Sequence, residues 1–135
     1  MMRSRVLFLS GRHGDARRLS QMLDALPLQL DHAESLELAH AKLQQDDYDV
    51  ILTEAALPDG NWVDVLQLAR ECPGAPRVIV TDPQADARFW SEVLNLGAYD
   101  LLAQPFYEPE VRRILYNAST RTYSHRPAVV SFAGA

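Results

Sequence analysis

Apolar residues along this chain follow two alternating rhythms. Unbroken apolar runs at Arg5–Leu9 (RVLFL), Asp49–Thr53 (DVILT) and Arg77–Thr81 (RVIVT) have the length and composition of buried strands. Leu28–Ala33 and Tyr99–Ala103 are weaker strands of the same kind. Between them, apolar positions recur every three or four residues, the repeat of a helix with one buried face. This spacing predicts a helix over 15–26, with Leu19, Met22, Leu23 and Leu26 on one face, and a second over 35–45, with Leu36, Ala39 and Leu43 inward. A third starts at Asn61, a residue suited to capping, and runs to about Glu71 on Trp62, Val65, Leu66 and Ala69. The fourth covers 86–96 and stops at Gly97; the fifth covers 108–118 with Val111, Ile114 and Leu115 inward. Pro27, Pro58-Asp59-Gly60, Pro73-Gly74 and Pro105 punctuate the pattern.

Five strands alternating with helices predict an α/β domain around a parallel sheet, with helices on both faces. In such sheets ligands and reactions sit beyond the carboxyl ends of the strands. The residues to read there are Ser10 to Arg12, Glu54, Thr81-Asp82 and Ala103-Gln104.

Composition narrows the picture. A length of 135 residues is one domain's worth, and 47% hydrophobic residues suffice for one sizeable core. The net charge of −5, with the basic residues scattered, provides no cationic stripe, so direct nucleic-acid binding is not expected. No apolar run approaches a membrane span, and Arg12, His13 and Asp15 come too early for a signal peptide. The lone Cys72 forms no internal disulfide and fits a reducing cytoplasm.

YDVILTEAALPDG (Tyr48 to Gly60) and LGAYDLLAQPF (Leu96 to Phe106) carry a resemblance. Over residues 4–118 the chain resembles the receiver domains of two-component signalling, the CheY-like family. That resemblance implies a doubly wound, five-stranded parallel sheet in the order 2-1-3-4-5. A receiver's acceptor Asp ends a strand four residues before a Pro, and a Gly-Ala pair precedes a Lys-Pro; Pro58, Gly97-Ala98 and Pro105-Phe106 match that frame.

Receiver chemistry needs an acid pair for Mg²⁺, a hard cation that takes oxygen ligands, and an Asp that attacks the phosphoryl group. A hydroxyl and a Lys then hold the phosphoryl oxygens. Carried onto this chain, the acid pair falls on Ser10 and Gly11, the acceptor on Glu54 and the Lys on Gln104. The hydroxyl position falls on Asp82, or on Thr81 if the correspondence shifts by one. Ser10 and Gly11 leave Mg²⁺ few oxygens, Glu54 is one methylene too long, and Gln104 carries no charge. The expectation is a receiver that is not phosphorylated and is not an enzyme, with no cofactor and no metal.

Glu54 admits two readings, a built-in mimic of the phosphorylated acceptor or a partly solvated carboxylate at a strand end. Arg12 in the adjacent loop would fill the vacated metal site by pairing with Glu54 or Asp82. Glu54, Asp82 and Asp59 form a nominal acidic cluster, but Ser10 and Gly11 add no charge to it. The histidines show no ligand spacing, and Ser10–Gly14 lacks the Lys and Ser/Thr of a phosphate-binding loop. Receivers meet partners through the fourth helix, fifth strand and fifth helix, which places Phe89, Trp90, Leu101 and Phe106 on a candidate interaction face. The alternative for Phe89 is core packing, because Phe89, Val93 and Leu96 share a helical face.

Residues 119–135 leave the pattern: a polar linker, then PAVVSFAGA. That run resembles the first strand of a ParA/MinD-type ATPase, as follows a degenerate receiver in TadZ/CpaE-type pilus-assembly proteins; the alternative is a tail on a stand-alone domain. The reading is therefore a phosphorylation-independent interaction or localisation module, cytoplasmic, acting through a protein partner, an attached output domain or a homodimer. Two alternatives stay open: a working phosphorelay receiver, and a small-ligand or metal-binding domain at the vacated pocket.

Overall fold

The computed structural model describes residues 3–120. The chain runs β1 (Ser4–Leu9), α1 (His13–Met22), β2 (Leu28–Ala33), α2 (Leu36–Gln45), β3 (Val50–Glu54), β4 (Ala56–Leu57) and β5 (Gly60–Asn61). It continues through α3 (Trp62–Glu71), β6 (Arg77–Asp82), α4 (Ala87–Asn95), β7 (Asp100–Ala103) and α5 (Glu108–Ser119). Five strands form one parallel sheet in the order β2-β1-β3-β6-β7. With the small β4–β5 hairpin set aside, this is the expected order 2-1-3-4-5.

Side chains alternate across a strand, so each central strand feeds two cores. Leu7, Leu9, Ile51, Val78 and Val80 pack with Trp62, Val65 and Val93 on the side of α2, α3 and α4. Val6, Phe8, Leu52, Ile79 and Leu102 pack with Leu19, Leu23, Ile114 and Leu115 on the side of α1 and α5. Burial on both faces explains why β1, β3 and β6 read as continuous apolar runs.

Two local features differ from the sequence pattern. Helix α1 ends at Met22, with Leu23 as its C-cap, although Leu23 and Leu26 still pack against the core. The turn at Pro58–Gly60 is clasped by the antiparallel hairpin β4–β5. Asn61 caps α3 through a reciprocal pair with Asp64, and Asp59 accepts from the backbone N–H groups of Leu36 (2.8 Å) and Glu37 (3.0 Å) at the start of α2. These two bonds hold the Asp59 carboxyl below its ordinary range. Gly60 lies close under two side chains: a Cβ there would meet Leu36 Cδ1 and lie 2.7 Å from Asp64 Oδ2, so both side-chain ends would have to shift. Gly97, just past the end of α4, has a φ of +111°, a backbone conformation that favours glycine.

Candidate functional site

The carboxyl ends of β1, β3, β6 and β7 converge on one rim of the sheet. Ser10, just past β1, is fully buried. Its Oγ accepts from the Arg12 amide at 3.0 Å, so the hydroxyl is spent on its own loop. Its carbonyl lies 2.7 Å from His32 Nε2; a carbonyl can only accept, so that nitrogen carries the proton. Gly11 brings no side chain.

Glu54 ends β3, half-buried, in register with Thr81 on β6. Among the described residues no hydrogen bond or ion pair engages its carboxylate. The same alternation that fills the two cores turns Glu54, Thr81 and Gln104 toward the α1/α5 side. Thr81 is buried; its hydroxyl donates to the Leu102 carbonyl at 2.8 Å and accepts from Gln104 Nε2 at 3.2 Å. Asp82, one residue on, faces the other side and accepts from the Gln84 amide at 3.0 Å. Thr81 is thus the residue beside Gln104, and the hydroxyl that counting without gaps would lose is present.

Receiver-type Mg²⁺ does not suit this donor set. The Ser10 hydroxyl is engaged, Gly11 has no donor, Asp82 caps a turn and Asp59 caps α2, which leaves Glu54 as the one strand-end carboxylate with no bond among the described residues. Among the described residues, no group of three or more His, Cys, Asp or Glu side chains could hold a metal ion.

Arg12 does not reach Glu54 or Asp82. Its guanidinium lies 4.0 Å from Asp15, in the first turn of α1, because helical spacing puts that carboxylate nearer than any strand end. Arg12, Asp15 and Arg18 instead line a cleft of about 240 Å³ with Gln104, Phe106 and two prolines. Sequence reasoning missed Asp15 and Arg18. Their i,i+3 spacing on α1, on the flank of the face that buries Leu19, was the available signal, but nothing in the sequence says which loop that flank meets.

Of the four residues of the candidate interaction face, Trp90 and Leu101 line one groove, and Phe89 and Phe106 lie outside it. Trp90 is 49% exposed, its Nε1 donating to Asp100 Oδ1 at 3.1 Å, and it borders a shallow groove of about 330 Å³ with Asp86, Ala103 and Glu110. Phe89 lies one helical step round and turns inward, edge-on to Trp62 at 5.8 Å between centroids. Leu101 is 7% exposed and packs into the core on the α3/α4 side, where strand alternation points it, while its edge lines the same groove as Trp90. Phe106 is half-buried against Phe8, 6.4 Å between centroids, and lines the Arg12 cleft on the far side of the sheet.

The opposite, amino-terminal end of the sheet carries an ionic cluster. Arg5 lies 2.8 Å from Asp31 and 3.2 Å from Asp46, with its guanidinium 4.8 Å from the centre of the Tyr48 ring. Tyr48 donates to Asp31 at 2.6 Å. Burial opposes charge on Asp31, yet the bonds from Tyr48 and Arg5 outweigh it and hold the carboxyl below its ordinary range. Burial first, then the Asp31 bond, drives the Tyr48 phenol up.

Comparison with known proteins places this geometry. The family whose sequence profile matches residues 13–116 is the response regulator receiver domain. Transcriptional regulatory protein KdpE of Staphylococcus aureus is 25% identical over 131 residues, 97% of this chain and 56% of that protein. The chain thus spans about half the length of this curated relative. Among solved structures, chemotaxis response regulator CheY4 of Vibrio cholerae superposes with a TM-score of 0.77 at 18% identity, covering 87% of this chain and 99% of that one. The non-phosphorylated HemR receiver domain of Leptospira biflexa gives 0.77 at 21%, covering 91% and 99%. A beryllofluoride-activated NtrC4 receiver domain dimer gives 0.77 at 24%, covering 85% and 95%.

Proposed function

Because this chain belongs to the response regulator receiver family, we propose that it is a receiver that works without phosphorylation, as a protein-interaction module. One observation carries this reading: at the end of β7, where a receiver needs a cation, the Gln104 carboxamide is bonded to the Thr81 hydroxyl. A neutral amide cannot neutralise a transferred phosphoryl group, and the hydroxyl is already bonded on both sides. The vacant acid pair and the added methylene of Glu54 act in the same direction. Incubation with acetyl phosphate and Mg²⁺ followed by intact mass should leave the mass unchanged. A gain of one phosphoryl group that disappears in Glu54→Ala would overturn the reading.

In this reading the partner surface is centred on Trp90. Its indole stays exposed although its N–H already has a partner, so its apolar face is free for a docking chain. The partner is a second receiver, an attached output domain or another protein; the NtrC4 receiver forms a dimer. Among the described residues no helix is long and apolar enough to cross a membrane, and a cytoplasmic protein is proposed. Residues 121–135 lie outside the described residues. The proposal that they lead into a ParA/MinD-like ATPase rests on the apolar run Ala128–Phe132, and the coding sequence beyond Ala135 tests it directly.

A phosphorelay receiver is the second reading. The retained Thr81 hydroxyl and the register pairing of Glu54 with Thr81 favour it. The same mass measurement separates the two.

A further inference from the structure

We propose that the cleft lined by Arg12, Arg18 and Gln104 binds a small phosphate-like dianion, without metal and without forming a covalent bond to it. This goes beyond the phosphorylation-independent reading and does not depend on it. The cleft lies at the carboxyl end of the sheet, where α/β folds place ligands. Two arginines and one aspartate line it, a local positive surplus in a protein whose net charge is −5. Arg12 is held only loosely, 4.0 Å from Asp15, and 67% of its side chain is exposed. Arg18 has no ion-pair partner among the described residues. Gln104 spends one N–H of its carboxamide on Thr81 and keeps the other for a ligand. Guanidiniums suit the oxygens of a phosphate, which they bind through paired N–H groups.

Size and walls set the ligand class. At about 240 Å³ the cleft is smaller than the roughly 300–1,000 Å³ of pockets that enclose drug-sized molecules. It suits free phosphate or the head of a short phosphomonoester. Pro83, Pro105 and Phe106 wall one side with apolar surface, which leaves Arg12, Arg18 and the Gln104 amide as the cleft's hydrogen-bond donors. Within the cleft, two arginines against Asp15 leave a surplus of one positive charge, and the ligand that surplus calls for is an anion.

An amide proton–nitrogen NMR titration tests this, using inorganic phosphate and glycerol phosphate in separate arms, each against sodium chloride at matched ionic strength and without Mg²⁺. Saturable shifts should centre on residues 11–18, Gln104 and Phe106, with an affinity on the order of millimolar. Binding of inorganic phosphate would identify the free anion, and binding confined to glycerol phosphate a phosphomonoester; either supports the site. Arg18→Ala, at an exposed position, should weaken binding about tenfold. Asp15→Asn, which removes the opposing charge, should strengthen it by about threefold. Arg88→Ala, an exposed cation on α4, should change nothing. Shifts no larger than those of chloride would overturn the proposal, as would an unchanged affinity in Arg18→Ala or an absolute need for Mg²⁺.

Discussion

The two ends of this sheet treat charge in opposite ways. At the amino-terminal end, Arg5, Asp31, Asp46 and Tyr48 pair at 2.6 to 3.2 Å, with Arg5 Nε alone left buried and unbonded in the cluster, and half-burial strengthens each contact. At the carboxyl end, Glu54 has no bonded partner among the described residues, Arg12 is loosely paired and Arg18 is free of ion pairs. The neutral bonds there, from Ser10 to Arg12 and from Gln104 through Thr81 to Leu102, close the rim without using those charges. Charges that complete one another hold a fold together; charges left open are available to something outside it.

The sharpest way to break this contrast is at the wired end. Arg5→Ala leaves Asp31 partly buried without its cation and should cost about 2–3 kcal/mol in urea unfolding. Its pH dependence carries a sign. Asp31 is held below its ordinary carboxyl value of 3.8, so its contribution is complete above that value and is lost as pH falls through it toward the folded value. The gap between wild type and Arg5→Ala should therefore be widest near neutrality and shrink in acid below about pH 3.8. A gap that stays constant into acid would mean that the cluster contributes packing rather than charge pairing.

Thr81→Val is the intermediate case. The replacement keeps the shape but leaves the Leu102 carbonyl and one Gln104 N–H without their partner, and it should cost about 1–2 kcal/mol. No loss would show that the Gln104–Thr81 link is incidental, which would also weaken the argument that it blocks the phosphoryl-binding groups. Glu54→Gln should have the smallest effect, within about 0.5 kcal/mol of wild type, since no bond is lost. A larger loss would place a hidden partner at this carboxylate and make the two ends more alike than the geometry indicates.

Much of this fold was legible from particular residues. The β1, β3 and β6 runs announce strands buried on both faces, and Asn61, Gly97 and Pro105 mark boundaries that the structure keeps. The β4–β5 hairpin was not legible, because two-residue strands are too short to show a period. Nor was the end of α1 at Met22: Leu23 and Leu26 keep the helical spacing while packing from a turn. At the site, the replaced acid pair and Lys were readable as Ser10, Gly11 and Gln104. The choice between Thr81 and Asp82 was not, because both are polar neighbours at a strand end and a one-residue slip exchanges their faces.

The sequence by itself determined the alternation of strands and helices, the two-sided core and which chemical groups stand at the strand ends, because these depend on local spacing and residue type. Tertiary structure alone decided which of those groups meet. It brought Thr81 rather than Asp82 to Gln104, turned Arg12 to Asp15, sent Leu101 into the core and set Arg18 beside the β7–α5 loop. Each of these is a matter of parity across a strand or angle around a helix between segments far apart in the chain. Such relations come into being only when the sheet assembles and its helices close over it.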